Sequence, residues 1–262
     1  MSQGSAVRTE VEGQTLTVTL DRPKANAIDA ATSRLLYDAF ARLRDDPQLR
    51  VGIVTGSGDR FFSAGWDLKA AAAGEAADAD FGQGGFAGLT EFHDIGKPVI
   101  AAVNGMAMGG GFELALAADL VVAAEHAVFA LPEATLGLVA DSGGLQRVPT
   151  RLPRAVAVEL LLTGRRMEAA EAARWGLVAE IVPAQDLLKT ARELAVRICA
   201  SAPLSVAATL EVVRATEGQS VQDRFATMRA GLATYSRISS SHDAQEGPRA
   251  FVEGRPPRWQ GN

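Results

Sequence analysis

The chain has 262 residues, enough to bury a large core in one domain with a small appendage. Its 47 % hydrophobic and 22 % charged residues are ordinary for a globular protein. A net charge of −5 argues against nucleic-acid or anionic-membrane binding, though not against a local basic patch for a phosphate. The lone Cys199 cannot form an intrachain disulfide, which fits a reducing cytoplasm. Neither a signal peptide in Met1–Glu10 nor an apolar run near the ~20 residues of a membrane span is predicted.

The predicted elements begin with a β-hairpin and continue as strands and helices. Val7 to Leu20 alternates apolar and polar residues around Glu12-Gly13, a hairpin pattern, and Thr32 to Leu43 has the apolar spacing of an amphipathic helix. The glycine-rich stretch Phe61 to Gly88 predicts a mobile loop or a loose helix. Further strands are predicted at Val51–Thr55, Val99–Val103, Leu120–Ala124, Val128–Leu131 and Val178–Val182, with helices opening at Gly109–Gly111 and Gly143–Gly144.

From Glu168 onward the pattern is mostly helical. Helices are predicted at Leu187–Cys199, Ser205–Thr216, Val221–Ser236 and Asp243–Val252. We place a boundary between Gly164 and Gly176, which divides an α/β core over residues 1–170 from a helical part over residues 171–262. Because the C-terminal helices carry more apolar surface than a core of this size needs to bury, we expect an oligomer.

Three glycine-rich segments are candidates for chemistry. The segment FFSAGWDLK turns sharply at Ala64-Gly65, where small residues let backbone N–H groups approach a ligand. In NGMAMGGGFEL three glycines open a helix, whose first N–H groups have no internal partners. Two such N–H groups from different segments would form an oxyanion hole. The third segment, FALPE followed by GLVADSGG, places Glu133 at the end of a strand.

Each glutamate also has a purely structural interpretation. Glu113 stands in the first turn of a helix, where the helix dipole favours a carboxylate, and Glu133 after Pro132 fits a solvated turn. However, Glu113 leads into the apolar run Leu-Ala-Leu-Ala-Ala, which predicts a buried helix. Because burying a carboxylate costs free energy, its presence there favours a functional role. Other chemistries find little support: phosphate-loop, dinucleotide and serine-elbow motifs are missing, and His93, His126 and His242 lack metal-ligand spacing.

The three segments resemble the crotonase (enoyl-CoA hydratase/isomerase) superfamily. FSAGWDLK is similar to its F-x-A-G-x-D-[LI]-K motif, and NGMAMGGGFELALAAD to N-G-x-A-x-G-G-G-x-E-L-x-x-x-x-D. The run LPEATLGLVADSGGLQRVP resembles a third motif, in which Ala140 replaces the usual proline. The resemblance spans about Gly13 to Trp259. It implies an α/β spiral of ββα units, a C-terminal helical trimerisation part, and homotrimers that can pair as hexamers.

The resemblance also implies a set of site residues. Glu113 and Glu133 would be the catalytic pair, and the N–H groups of Trp66 and Gly110 the oxyanion hole. The residues expected to bind the substrate or coenzyme A are Lys24, Ala25, Ala64, Asp67, Leu68 and, across a trimer, Phe251. Phe86, Phe112 and Asp141 are expected in the acyl pocket. The substrate is an acyl-CoA thioester that brings its own coenzyme A, so no metal or redox cofactor is implied.

Several stretches, among them LDRPKANAIDA, FFSAGWDLKAAA, DADFG and GGFAGLTE, resemble the carnitinyl-CoA dehydratase subgroup of that superfamily. The expected reaction is therefore the removal of water from carnitinyl-CoA, or its addition to the enoyl-CoA. A generic short-chain enoyl-CoA hydratase or an isomerase is the alternative. An RNA-binding relative or an inactive scaffold is disfavoured, because there is no basic stripe and both glutamates are present. The sequence leaves open which glutamate is protonated and the direction of the reaction.

Overall fold

A computed structural model describes residues 5–76 and 79–262. Met1–Gly4, at the start of the stretch in which no signal peptide is expected, and Asp78, the first residue of DADFG, lie outside the described residues. The strands are β1 (Val7–Glu12), β2 (Thr15–Leu20), β3 (Val51–Gly56), β4 (Phe61–Ser63), β5 (Val99–Val103), β6 (Met106–Met108), β7 (Leu120–Ala124), β8 (Val128–Ala130), β9 (Met167–Glu168) and β10 (Glu180–Val182).

The helices complete the chain order. They are α1 (Ala30–Asp45), α2 (Leu68–Ala72), α3 (Gly110–Ala117), α4 (Gly144–Arg151), α5 (Arg154–Thr163), α6 (Ala169–Arg174), α7 (Leu187–Cys199), α8 (Pro203–Ala215), α9 (Val221–Gly231) and α10 (His242–Glu253). Short 3-10 turns lie at Phe86–Gly88, Glu133–Leu136, Ala184–Asp186 and Tyr235–Ser240. The helix predicted over Val221–Ser236 is therefore too long: α9 ends at Gly231, where φ of +101° breaks the helix.

The strands form two sheets that the chain visits in alternation. The larger sheet has the order β1-β2-β3-β5-β7-β10, with β1 antiparallel and the rest parallel. The smaller sheet has the order β4-β6-β8-β9. Each repeat gives one strand to each sheet and then a helix or 3-10 turn, as in β3-β4-α2 and β5-β6-α3. The predicted spiral of ββα units is confirmed.

The core lies between the sheets and the helices that cover them. Large side chains from both sheets and α1, including Phe40, Phe62 and Phe129, are fully buried there. A second cluster joins β3, β5 and β7 to Leu187, Ala191 and Ala195 of α7. The predicted boundary at residues 170–171 falls inside α6. After this boundary, β10 is still a strand of the larger sheet and α7 packs on that sheet.

The C-terminal helices leave apolar side chains on the surface of the single chain. Val196, Val213, Phe225 and Phe251 are all more than half exposed. In the part of the chain that the structure describes, no single helix is long and apolar enough to cross a membrane; only the bent pair Ala184–Cys199 and Pro203–Ala215 passes by length and composition, with 105° between its halves.

Candidate active site

Glu113 occupies the first turn of α3 and is almost fully buried, with 3 % of its surface exposed. The three glycines before it bring the chain from β6 directly into the helix. Its Oε1 accepts a hydrogen bond from the backbone N–H of Gly144, the first residue of α4, at 2.9 Å. The N-terminal end of α4 therefore holds the carboxyl group of α3 in one orientation.

Glu133 reaches the same place from the smaller sheet. It is half-buried and begins the 3-10 turn that follows β8 and Pro132. Its Oε1 lies against Gly109, only 2.6 Å from where a β-carbon on that residue would stand. Its Oε2 is buried and has no hydrogen-bond partner among the described residues. A buried carboxylate oxygen normally has a partner, so this one is available to a bound molecule.

Burial raises the pKa of both glutamates. For Glu113 it raises the pKa from 4.5 to about 8, and the charges of Glu133 and Asp141 act in the same direction against the lowering effect of the Gly144 N–H. For Glu133 burial is also the main cause of a raised pKa, and Asp141 again contributes. Carboxyl groups that hold or take up protons near neutral pH are suited to general acid–base catalysis.

Two residues with unpaired backbone N–H groups, from different segments, line the same cavity as this pair. Gly65 has φ of +80°, and a β-carbon there would stand 2.7 Å from the nitrogen of Gly110, so the two segments touch. The N–H of Trp66, the next residue, and that of Gly110, the first residue of α3, donate to no acceptor among residues 5–76 and 79–262. Unpaired donors on two segments that touch are what an oxyanion hole requires.

A cavity of about 400 Å³ contains all of these groups. Its ionisable side chains are Glu113, Glu133 and Asp141, and no Lys, Arg or His among the described residues lines it. The other lining residues are Ala64, Trp66, Leu68, Phe81, Phe86, Gly109, Gly110, Pro132, Leu136, Gly137, Leu138, Val139 and Ser142. The cavity is therefore acidic and aromatic.

The structure brings together most of the predicted pocket residues. Ala64, Leu68, Phe86 and Asp141 line the cavity, and Leu68 is 60 % exposed. Phe112 does not line the cavity. Its side chain is 1 % exposed, and its ring packs on Phe129 with 5.1 Å between centroids. Neighbouring helical residues point about 100° apart. Because Glu113 turns toward the cavity, Phe112 turns into the core, and its predicted place in the acyl pocket is wrong.

The remaining predicted residues do not line the cavity. Lys24 is exposed, and the carbonyl of Ala25 accepts the N–H of Ala64 at 2.9 Å. The carboxylate of Asp67 caps α2 and pairs with Arg22 at 2.9 Å. Phe251 on α10 is 87 % exposed in the single chain. Their roles toward coenzyme A stay predictions.

Two residues at the site were not among the predicted site residues, although Phe81 lies in the DADFG stretch. Phe81 lines the cavity and packs edge-on against Phe86, with 5.2 Å between ring centroids. Glu75 accepts a hydrogen bond from the Trp66 indole. Both lie in the glycine- and alanine-rich stretch between β4 and β5, where no periodicity indicates which side chains turn inward.

Comparison with known proteins identifies the family. The sequence profile described as enoyl-CoA hydratase/isomerase matches residues 10–262. The chain belongs to this family. It is 59 % identical over 262 residues, all of both chains, to the carnitinyl-CoA dehydratase of Proteus mirabilis strain HI4320. It is 60 % identical over 250 residues to that of Salmonella typhi, which covers 95 % of this chain and 96 % of the relative.

Solved structures give the same result for the fold. An enoyl-CoA hydratase from Mycobacterium tuberculosis H37Rv superposes with a TM-score of 0.90 at 44 % identity, over 98 % of this chain and 99 % of that one. A carnitinyl-CoA hydratase from Mycobacterium avium superposes with a TM-score of 0.77 at 43 % identity, over 99 % and 100 %. The crotonase fold is thus confirmed over nearly the whole chain.

Proposed function

We propose that this protein is a hydro-lyase that interconverts carnitinyl-CoA with crotonobetainyl-CoA and water. The observation that carries the proposal is the pair of buried carboxyl groups, Glu113 and Glu133, in one cavity with two free N–H groups. The full-length identity to relatives named carnitinyl-CoA dehydratase supports the choice of substrate.

In the dehydration direction, Glu133 takes the proton from the α-carbon of the thioester. Its Oε2, which has no partner among the described residues, is the atom available to accept it. The negative charge that moves onto the thioester oxygen is stabilised by the N–H groups of Trp66 and Gly110, an effect of about 2.7–4 kcal/mol per donor. The thioester carbonyl must therefore lie between β4 and the start of α3.

Glu113 then gives its proton to the leaving β-hydroxyl, which departs as water. A pKa of about 8 keeps this group protonated at neutral pH, as a general acid requires. Hydration is the reverse: Glu113 takes a proton from water while Glu133 returns one to the α-carbon. Acid, base and charge stabilisation all come from the chain, so the proposed reaction uses no metal or redox cofactor, and coenzyme A enters with the substrate.

The chemistry of the cavity supports a cationic acyl group. A trimethylammonium group has no N–H to donate and is held best by aromatic faces and nearby negative charge, at about 0.5–2 kcal/mol per aromatic. The cavity offers Trp66, Phe81 and Phe86, and its ionisable residues are all acids. The carboxylate of Asp141 forms neither a hydrogen bond nor an ion pair with any described residue, so it is free to face the cation.

A generic short-chain enoyl-CoA hydratase is the second candidate. Solved structures named enoyl-CoA hydratase superpose with TM-scores of 0.90 at 44 % and 45 % identity, which favours that activity. An isomerase is less well supported, because moving a double bond can be done with one carboxylate and here two share the cavity. RNA binding or an inactive scaffold is least supported.

The deciding experiment compares hydration of crotonobetainyl-CoA and crotonyl-CoA by the same enzyme preparation. We expect a higher kcat/KM for crotonobetainyl-CoA. Trp66→Leu should lower this preference more than it lowers crotonyl-CoA turnover, because only the cation uses the aromatic face. If the wild-type enzyme hydrates crotonyl-CoA with an equal or higher kcat/KM, the generic hydratase replaces the proposal.

The assembly and location complete the proposal. We propose a homotrimer, alone or paired as a hexamer, in which the exposed apolar residues of the C-terminal helices meet a neighbour. In that assembly Phe251 would reach the coenzyme A of an adjacent subunit, while Lys24, Ala25, Asp67 and Leu68 would lie along the path of the bound coenzyme A. We propose that the enzyme works in the cytoplasm, free of nucleic acid and membrane.

A further inference from the structure

The side chain of Glu75 joins the indole of Trp66 to the start of α1. One carboxylate oxygen accepts the Trp66 Nε1–H at 3.0 Å, and the other accepts the backbone N–H of Ala30 at 3.1 Å. Ala30 is the first residue of α1, so its N–H has no partner inside the helix. A carboxylate is acceptor-only and suits two donors at once.

The negative charge of Glu75 has no cationic partner. Within the described ranges, no Lys, Arg or His side chain lies at ion-pair distance from it. The nearby Arg22 is instead taken up by Asp29 at 2.6 Å and Asp67 at 2.9 Å. Glu75 itself does not line the cavity, but its hydrogen bond to the Trp66 indole links it to a residue that does.

Trp66 connects this carboxylate to the substrate. It is half-buried, packs against the core and lines the cavity beside Phe81 and Phe86. A carboxylate at the N–H edge of an indole draws that hydrogen toward itself and leaves the ring face more negative. A more negative face binds a cation more strongly, and the same hydrogen bond holds the ring in one orientation.

From this geometry we propose that Glu75 is a specificity-determining residue, which orients the Trp66 indole and makes its face more attractive to a cationic acyl group. The inference rests on the proposed function, because it assumes that the acyl group carries a trimethylammonium. Glu75 touches neither the reacting atoms nor the two catalytic glutamates, so its effect must be passed on by Trp66.

Two variants separate this role from a simple structural link. Glu75→Gln removes the charge and replaces two acceptor oxygens with one. The Trp66 indole and the Ala30 N–H both donate to Glu75, so one of these two hydrogen bonds is lost. Trp66→Phe keeps an aromatic ring but has no N–H for Glu75 to bind. If Glu75 acts through the indole, its replacement has little left to change in the Trp66→Phe background.

The experiment is a double-mutant cycle in full-length enzyme, read as the ratio of kcat/KM for crotonobetainyl-CoA to kcat/KM for crotonyl-CoA. Glu75→Gln should lower this ratio about 2- to 30-fold in the wild-type background, the range expected for a weakened cation–π contact. In the Trp66→Phe background its effect should be less than twofold. Glu193→Gln, which removes one exposed carboxylate of α7, controls for net charge and should leave the ratio unchanged.

The outcomes are distinct. If the wild type prefers crotonobetainyl-CoA and Glu75→Gln leaves that preference intact, or lowers both rates equally, Glu75 is only a structural link and the inference fails while the proposed function stands. Equal effects of Glu75→Gln with and without the indole also overturn it. A wild type without any preference overturns both proposals.

Discussion

The burial of Glu113 has a cost in stability that can be measured as a function of pH. In the unfolded chain this carboxyl group has an ordinary pKa of 4.5, and in the fold its pKa rises to about 8. At 1.36 kcal/mol per pKa unit, the difference corresponds to about 5 kcal/mol. That is a large part of the total stability of a protein domain, which is about 5–15 kcal/mol.

The direction of the effect follows from proton binding. Below pH 4.5 the group is protonated in both states, and its ionisation does not affect folding. Between pH 4.5 and about 8 the unfolded chain releases the proton and the fold keeps it, so the contribution of Glu113 to stability falls as the pH rises. Above pH 8 both states are ionised and the loss is complete.

Glu113→Gln should therefore stabilise the protein in alkaline solution. Glutamine has the same shape, its Oε1 can still accept the Gly144 N–H, and it does not ionise. We expect the variant to exceed the wild type by less than about 1 kcal/mol near pH 5 and by up to about 5 kcal/mol at pH 9. The same change should lower kcat by about 10²–10⁴-fold, because the general acid is gone.

The assay is urea unfolding followed by circular dichroism at pH 5 and pH 9, at one fixed protein concentration because the proposed association would contribute to stability. Glu193→Gln serves as the control for the loss of one surface charge. If the difference in free energy of unfolding between Glu113→Gln and the wild type is the same at both pH values, the pKa of Glu113 is not raised in the fold, and the reasoning is refuted.

Three further predictions concern the site and the assembly. Glu133→Gln should lower kcat for hydration about 10²–10⁴-fold with the fold intact by circular dichroism, and near-normal turnover would remove its role. Gly110→Ala places a β-carbon into the Phe86 ring and should displace the N–H donor, with kcat about 10²–10³-fold lower; an active variant would contradict the oxyanion assignment. Light scattering at micromolar concentration should return the mass of a trimer or hexamer, and a monomer mass would contradict the proposed burial of the C-terminal helices.

Local patterns determined most of the elements from the sequence alone. The β1–β2 hairpin follows from the alternation of apolar and polar residues around Glu12-Gly13, and α7 follows from its helical spacing. The same local patterns drew attention to Glu113 and Glu133, because each carboxyl group stands beside a glycine-opened helix. They also indicated the two glycine-rich segments as sources of backbone N–H groups, since glycine in these turns is needed for close approach of the backbone, while the choice of Trp66 and Gly110 came from the family resemblance.

The second sheet is a property of the tertiary structure. Strands β4, β6 and β9 have two or three residues each, too short for alternation to be seen against their surroundings. Met106 to Met108 counts as a strand because it lies between β4 and β8, which come from other turns of the spiral. Sequence patterns report neighbours along the chain and contain no record of strand partners 22 to 45 residues away.

The residues that line the pocket are likewise decided only in part by the sequence. The sequence places Phe112 beside Glu113, the proposed general acid, but only the rotation of α3 decides that Glu113 faces the cavity and Phe112 faces the core. Phe81 and Glu75 lie in a stretch without periodicity, and their positions depend on contacts with Phe86, Trp66 and α1. The raised pKa of Glu113 is likewise a result of folding, because burial and the nearby charges exist only when distant segments pack together.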